Sequence, residues 1–418
     1  MKTIKLLLIT GMLLSSIQLF SQFTIDGEFR PRMMIDNGYK TIKLESDPTL
    51  VYISQRSRIN LGYKKDKLET YFSFQDVHFW GDDDNYSSSG LLGNTKGINL
   101  YQAWFALKPT PDMMIKIGRQ QLSYDDQRIL SARNWGEYQV TYDALLFVYG
   151  KGKNKLDIAA SWNTNGSTEA FYPKAKMKMV DFVHYERNLG KMTVSAIAIL
   201  NGYTKADTLT DIALTGTYNA NLVYKTKGFD LRITGYYQSG LNKTSGDISA
   251  YCLSVFAKKN LFEEKASIGI GLDLLSGNND TITDAAYKNT QHKFNVFYGN
   301  RHGVLGYQDL YTSIPNQGVQ DYMLKTEFKM AKDLLLQGDY HCFFLANKGK
   351  LANKNLGSEL DLTLQWKIIK EVALQAGYSF YLASESFERW KGVYNQSTKF
   401  PQFAYLMLTV KPTFFKTE

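Results

Sequence analysis

Polar and apolar residues alternate along most of this chain. Ile25 to Arg32 reads Ile-Asp-Gly-Glu-Phe-Arg-Pro-Arg, with Ile, Gly, Phe and Pro on one parity and Asp, Glu and two Arg on the other. A β-strand points successive side chains to opposite faces, so this segment predicts a strand with one greasy and one charged face. The same rule sets Ile59, Leu61 and Tyr63 against Arg56, Arg58 and Asn60. It sets Leu231, Ile233 and Tyr237 against Asp230, Arg232 and Gln238, and Ile268, Ile270 and Leu272 against Gly269, Gly271 and Asp273. Near the C-terminus, Leu360, Leu362, Leu364 and Trp366 oppose Glu359, Asp361, Gln365 and Lys367.

Alternation alone fits a soluble sandwich or a membrane barrel. Strand length and connection length separate the two. The alternating segments run roughly 10–13 residues, about twice the usual globular strand and close to what a tilted strand needs to cross a bilayer. Connections alternate between short turns, such as Lys65-Asp66-Lys67 and Lys332-Asp333, and longer loops, such as 123–139 and 277–319. Eight short and nine long connections predict 18 antiparallel strands. An even count with short turns at one end and long loops at the other is the pattern of an all-β, outer-membrane barrel. Segments 122–140 and 277–319 leave room for a 16-strand count. The last segment, Gln402 to Phe415, is aromatic on its outer face, as in strands read by outer-membrane assembly machinery, although Lys416-Thr417-Glu418 follow it.

Composition agrees with half of every strand facing lipid and half facing water. Aromatics are 14% of 418 residues, yet mean hydropathy is −0.31. Past the N-terminus no run of about 18 apolar residues suggests a membrane helix. Met1–Lys5 is basic, Leu6 to Phe20 is largely apolar, and small Ser21 precedes Gln22. That is the layout of a secretory signal peptide over residues 1–21, which leaves 22–418 as one barrel domain and argues against a nucleic-acid partner. No plug of 100 residues or more precedes the first strand, which disfavours an energised transporter. Two cysteines supply no disulfide framework, and Cys252 and Cys342 fall on strands 12 and 15, too far apart around a barrel to bridge. No HExxH or GxSxG pattern occurs, so neither an enzyme nor a cofactor is expected.

The charged faces must point into an aqueous lumen, since an arginine at the lipid midplane costs about 2–4 kcal/mol. Arg30, Arg32, Arg56, Arg58 and Arg232 therefore face inward, together with Glu28, Asp361, Lys325, Glu327, Lys329 and Lys367. Four of eleven arginines lie on the adjoining first two strands. Arginine ladders favour anions, and guanidinium forks match carboxylates and phosphates. Cross-strand pairing that merely satisfies these charges is the plainer reading. Asp82, Asp83 and Asp84 form a weak calcium candidate, for which a solvated loop is the simpler account. Arg301, His302 and Asp309, in 277–319, belong either to an inward constriction or to an exposed loop.

The stretch Ile117-Gly118-Arg119-Gln120-Gln121-Leu122-Ser123-Tyr124-Asp125-Asp126-Gln127-Arg128-Ile129-Leu130 resembles the Gly-Arg-Gln strand-and-loop of the alginate-export porin family. Arg133-Asn134-Trp135 and Thr141-Tyr142-Asp143-Ala144-Leu145 resemble its continuation. Phe294 to Asp309 resembles the long-loop block of members from Bacteroidetes-like bacteria. The resemblance implies an 18-stranded outer-membrane barrel with an arginine-rich, anion-selective constriction, in a family whose best-known member exports alginate, a polyuronate. It also implies Arg119 and Arg128 as cargo contacts. Arg119 shares parity with Ile115 and Ile117, so it turns inward only through a bulge at Gly118 and otherwise sits at the outer rim.

The expectation is a passive channel in the outer membrane of a Gram-negative bacterium. Its cargo would be a polyuronate or other acidic oligosaccharide or organic anion. Its partners would be membrane lipid, the assembly machinery and periplasmic export or uptake proteins. Alternatives are a general or phosphate-type anion porin, and a non-transport barrel acting as receptor or adhesin.

Overall fold

A sheet that meets lipid on one face can leave no edge unpaired, because hydrocarbon offers nothing to bond free N–H and C=O groups. The computed structural model describes residues 22–81, 97–164, 176–205, 211–244, 246–351 and 353–417. Within them, eighteen antiparallel strands close into one barrel. The first half comprises β1 (Gln22–Asn37), β2 (Leu50–Lys65), β3 (Leu68–Phe79), β4 (Asn99–Thr110), β5 (Met113–Gln120), β6 (Tyr142–Lys151), β7 (Asn154–Ser161), β8 (Met177–Asn188) and β9 (Met192–Thr204). The second comprises β10 (Ile212–Lys225), β11 (Phe229–Leu241), β12 (Asp247–Leu261), β13 (Ala266–Leu275), β14 (Val319–Ala331), β15 (Leu334–Leu345), β16 (Asn355–Ile369), β17 (Val372–Ala383) and β18 (Gln402–Val410). Each strand pairs with the next, and β18 returns to β1 through Phe29↔Val410 and Arg32↔Met407. Pro412 carries no N–H and interrupts that last strand. Its carbonyl still accepts the Gly27 N–H at 3.0 Å, and pairing with β1 resumes over Thr413–Lys416.

The expected 18 strands and the rhythm of short turns and long loops are both present. Strand lengths spread more widely than expected, from 8 residues in β5 and β7 to 16 in β1 and β2. The wall is low at β5 because the chain leaves it at Gln120 and dives into the lumen. Residues 1–21, with the expected signal peptide, and Asp82, Asp83 and Asp84 lie outside the described residues.

The outer face is apolar, with Phe29, Ile59, Phe72, Phe105, Ile233 and Ile270 exposed. Tyr218, Tyr237 and Tyr251 lie side by side across three strands. Phe328, Trp366, Phe414 and Phe415 are exposed at the short-turn end. These rows are aromatic girdles of the kind that sit at both membrane interfaces.

The lumen is not an open pipe. Leu122, Ile129 and Leu130 of loop 121–141, with Phe294, Leu305, Leu310, Tyr311 and Ile314 of segment 276–318, are buried. They pack into one apolar cluster with inward residues of the wall, among them Leu146, Phe182, Ile197 and Ile199. Inward apolar positions on β6 to β9 thus have a physical reason: they receive loops rather than water. Cys252 and Cys342 are both free.

Candidate functional site

Pairing of β1 with β2 sets Glu28 opposite Arg58, Arg30 opposite Arg56 and Arg32 opposite Ser54. Alternation puts all of them on the lumen side, so four guanidiniums stack into a ladder two strands wide. Arg30, Arg32 and Arg56 are almost wholly buried (3%, 7% and 0% exposed), because loop 121–141 lies on them. Arg30 donates to the Asn134 carbonyl (2.7 Å), the Gly136 carbonyl (3.2 Å) and the Glu137 carboxylate (2.7 Å). Arg32 donates to the Trp135 carbonyl (2.9 Å), reaches the other Glu137 oxygen at 2.5 Å and lies over the Trp135 ring. Arg56 bonds Glu28 (2.6 Å), the Gly136 carbonyl (3.2 Å) and the Asn134 side chain (3.1 Å). Arg58 donates to Gln75 and Gln139 and stacks on Tyr101.

Glu137 is the centre of this clamp. Two arginines hold its two oxygens, and the Ser54 hydroxyl donates to one of them at 2.9 Å. Burial alone raises its pKa, but Arg32 and Arg30 outweigh that and hold the carboxyl below the usual range. The four guanidiniums contact only two carboxylates, Glu28 and Glu137, so the ladder itself is locally positive, with Asp26 and Asp36 flanking it on the same face of β1 and backbone carbonyls sharing its hydrogen bonds.

The loop is carried across the lumen by its own sequence. Gly118 adopts φ +120, and a Cβ there would meet the Ala103 carbonyl at 2.3 Å. At the far wall, Arg128 bonds Asp273 on β13 (2.8 Å), Ser254 on β12 (3.3 Å) and Asp126 beside it (3.2 Å). Burial pulls the Arg128 pKa down, but the carboxylates of Asp273 and Asp126 more than reverse this. Arg133 donates to the carbonyls of Phe297, Tyr298 and Gly299, which fastens the first loop to the second. Trp135 stacks flat on His302 at 3.7 Å and donates to the Tyr39 hydroxyl. Tyr39 in turn donates to Asp309, which also contacts His302 at 3.1 Å. Glu359 on β16 anchors the second loop by accepting the N–H groups of Tyr307 (2.5 Å) and Gln308 (2.7 Å).

Arg30, Arg32, Arg56, Arg58 and Glu28 thus form one constellation, and His302 and Asp309 touch its loop. Arg301 stands apart, half-buried, beside Lys293 in a cavity of about 370 Å³. Arg128 and Arg232 line another of about 250 Å³ with Asp126, Asp273 and Lys325. Lys367 faces the short-turn mouth, away from the ladder. Arg119 is a correction to the expectation of a pore-lining residue. The register from Ile117↔Leu145 to Arg119↔Asp143 runs without a bulge, so Arg119 stays on the outer face with Ile117. There it forms a two-pronged pair with Asp143 at 3.0 and 2.9 Å. Sequence reasoning missed Glu137, Ser54, Gln75, Gln139 and Tyr101 as ladder partners. Inward parity marks Ser54 and Gln75, but nothing in the local pattern marks a loop glutamate as their partner.

Residues 44–398 match the family described as Alginate export. No curated protein matches the chain. Solved structures match over nearly the whole length. Pseudomonas aeruginosa OccK8 (OprE) does so at 10% identity and TM-score 0.62, covering 94% of this chain and 98% of that one. Acinetobacter baumannii OccAB4 gives 10% identity, TM-score 0.61 and coverages of 95% and 99%. Pseudomonas aeruginosa OpdK, solved with vanillate, gives 9%, 0.60, 94% and 99%. At these identities the likeness is one of fold.

Proposed function

The chain belongs to the alginate export family, a barrel of the Gram-negative outer membrane, and on that premise we propose that its cargo is anionic: a polyuronate or other acidic oligosaccharide that meets the arginine ladder. Residues 1–21 serve in this reading as a cleaved export signal. The observation that carries the proposal is the seat of Glu137. Arg30, Arg32 and Ser54 already hold one carboxylate in the lumen at 2.5 to 2.9 Å, the geometry in which guanidinium recognises carboxylate. A uronate presents the same group. The interleaved Glu28 and Glu137 make the wall less attractive to phosphate than a pure Lys/Arg ladder would be. They also let a charged polymer bind without being trapped. OpdK, of the same fold, was solved with vanillate, itself a carboxylate.

The test is single-channel conductance in a planar bilayer with trigalacturonate and inorganic phosphate as competing blockers. Block by the uronate at lower concentration supports the proposal, and block by phosphate at far lower concentration replaces it with a phosphate-type porin. The packing of two loops inside the lumen favours one second reading, a non-conducting barrel that acts as a receptor. Absence of any conductance would select it.

A further inference from the structure

The ladder arginines are already engaged, so the positive charge left free for an anion lies elsewhere. Arg30 and Arg32 are committed to the loop, Arg56 to Glu28 and the loop, Lys325 to Asp339 and Lys411 to Glu28. At the short-turn end of β14 to β18, a pocket of about 460 Å³ is lined by Lys329, Lys332, Lys367 and Lys370, with Asp333 as its one acid. Among the described residues, none of these four ammonium groups has an ion pair or side-chain hydrogen bond.

The sequence builds this pocket in two steps. Lys329 and Lys367 share inward parity with Asp321 and Asp361, so they face the lumen rather than lipid. Lys332 and Lys370 sit in the two adjacent turns, β14–β15 and β16–β17. Register sets Lys329 beside Leu335, Leu335 beside Gln365 and Gln365 beside Gln375, with Ala373 and then Thr409 beside Lys367, so the floor between the lysines is uncharged. Four like charges around an uncharged floor repel one another, and a ligand with several negative charges relieves that repulsion. A phosphate monoanion meets one or two ammoniums, whereas a chain of carboxylates spans all four.

We propose that this pocket is a second anion subsite, at the periplasmic mouth, which takes carboxylates of an acidic oligosaccharide before they meet the ladder. The proposal rests on the channel reading above. Lys411, which follows β18 and pairs with Glu28 at 3.5 Å, stands between this pocket and the ladder on β1 and β2. Lysine suits such a site. Its ammonium is a mobile point charge on a flexible stem, able to follow a sliding polymer, whereas the arginine fork fixes one geometry.

The experiment is block of single channels by trigalacturonate added separately to each side of the membrane, for the wild type and for K329Q/K332Q/K367Q/K370Q, in zwitterionic phosphatidylcholine. The variant should raise the half-blocking concentration about tenfold from one side only, given four contacts each as strong as an exposed ion pair. The difference should shrink at 1 M salt, where the Debye length is about 3 Å. The matching Lys→Arg variant should retain block, which separates charge from folding. An unchanged half-blocking concentration in a variant of normal conductance overturns the subsite and leaves the channel reading standing. Failure of trigalacturonate to block the wild type from either side overturns the channel reading itself.

Discussion

Replacing Glu137 by Gln keeps the size of the side chain and one acceptor oxygen, and removes the charge that two guanidiniums share. The affected contacts are Arg30 at 2.7 Å and Arg32 at 2.5 Å, between side chains that are 10% exposed or less. Hydrogen bonds to charged groups contribute about 1.5–3 kcal/mol and neutral ones about 0.5–1.5. One contact drops from the first class to the second and the other is lost, since an amide NH2 cannot accept from a guanidinium, so the loss is at least about 2 kcal/mol. The bonds from Arg30, Arg32 and Arg56 to loop carbonyls persist, so the loop is loosened rather than expelled. About 2 kcal/mol is a roughly 30-fold change in the ratio of released to clamped loop. In planar bilayers this reads as a higher-conductance level visited about 30 times more often relative to the lower one. The same variant frees the carboxylate seat, so trigalacturonate should block it at lower concentration than the wild type. An unchanged ratio of conductance levels, together with unchanged block, would refute the view that this carboxylate holds the loop.

Three other outcomes follow from the same geometry. Because the Glu137 pKa lies below its ordinary value of about 4.3, the clamp is complete above that value and is lost only as pH falls through the lower, folded one. Conductance levels should therefore match at pH 7 and pH 5, and a change between those values would contradict this. Gly299→Ala would put a Cβ 1.8 Å from the Arg128 carbonyl. It should force the two loops apart and raise occupancy of the higher conductance level, while the unboiled barrel keeps its electrophoretic mobility. Arg119→Ala removes an exposed pair on the outer face, where such pairs contribute about 0–1 kcal/mol. Ion selectivity measured by reversal potential should not move.

Much of the barrel was legible because its constraint is local. Any inward Arg30 forces an outward Phe29, and the spacing of Lys65-Asp66-Lys67-type turns fixes the hairpins. The expected aromatic outer face of the last segment holds only for Phe414 and Phe415, beyond the break at Pro412. The aromatics of β18 itself, Phe403 and Tyr405, share the inward parity of Arg32 and pack on Tyr39 and Trp135, a loop contact that alternation could not show. The fate of loop 121–141 was hidden because it depends on contacts more than 70 residues apart, Arg30 with Asn134 and Arg133 with Phe297. Inward apolar residues on β6 to β9 were the available hint. A water-filled lumen has no use for Leu146 or Phe182, so their parity implied something packed inside. Arg119 shows the reverse case, in which strict alternation placed it outside and family resemblance drew it inward. The unbroken register follows the alternation. The ladder itself was legible residue by residue, but its state was not: alternation says which way Arg56 points and nothing about what already occupies it.

The most direct measurement is the reversal potential of the reconstituted channel across a potassium chloride gradient, for the wild type and for Arg56→Glu with Arg58→Glu. The local excess of guanidinium over carboxylate within the ladder predicts a preference for chloride in the wild type and a shift toward potassium in the double variant. A wild type that prefers potassium, or a double variant with the same potential, would contradict the claim that this wall sets the charge of what passes.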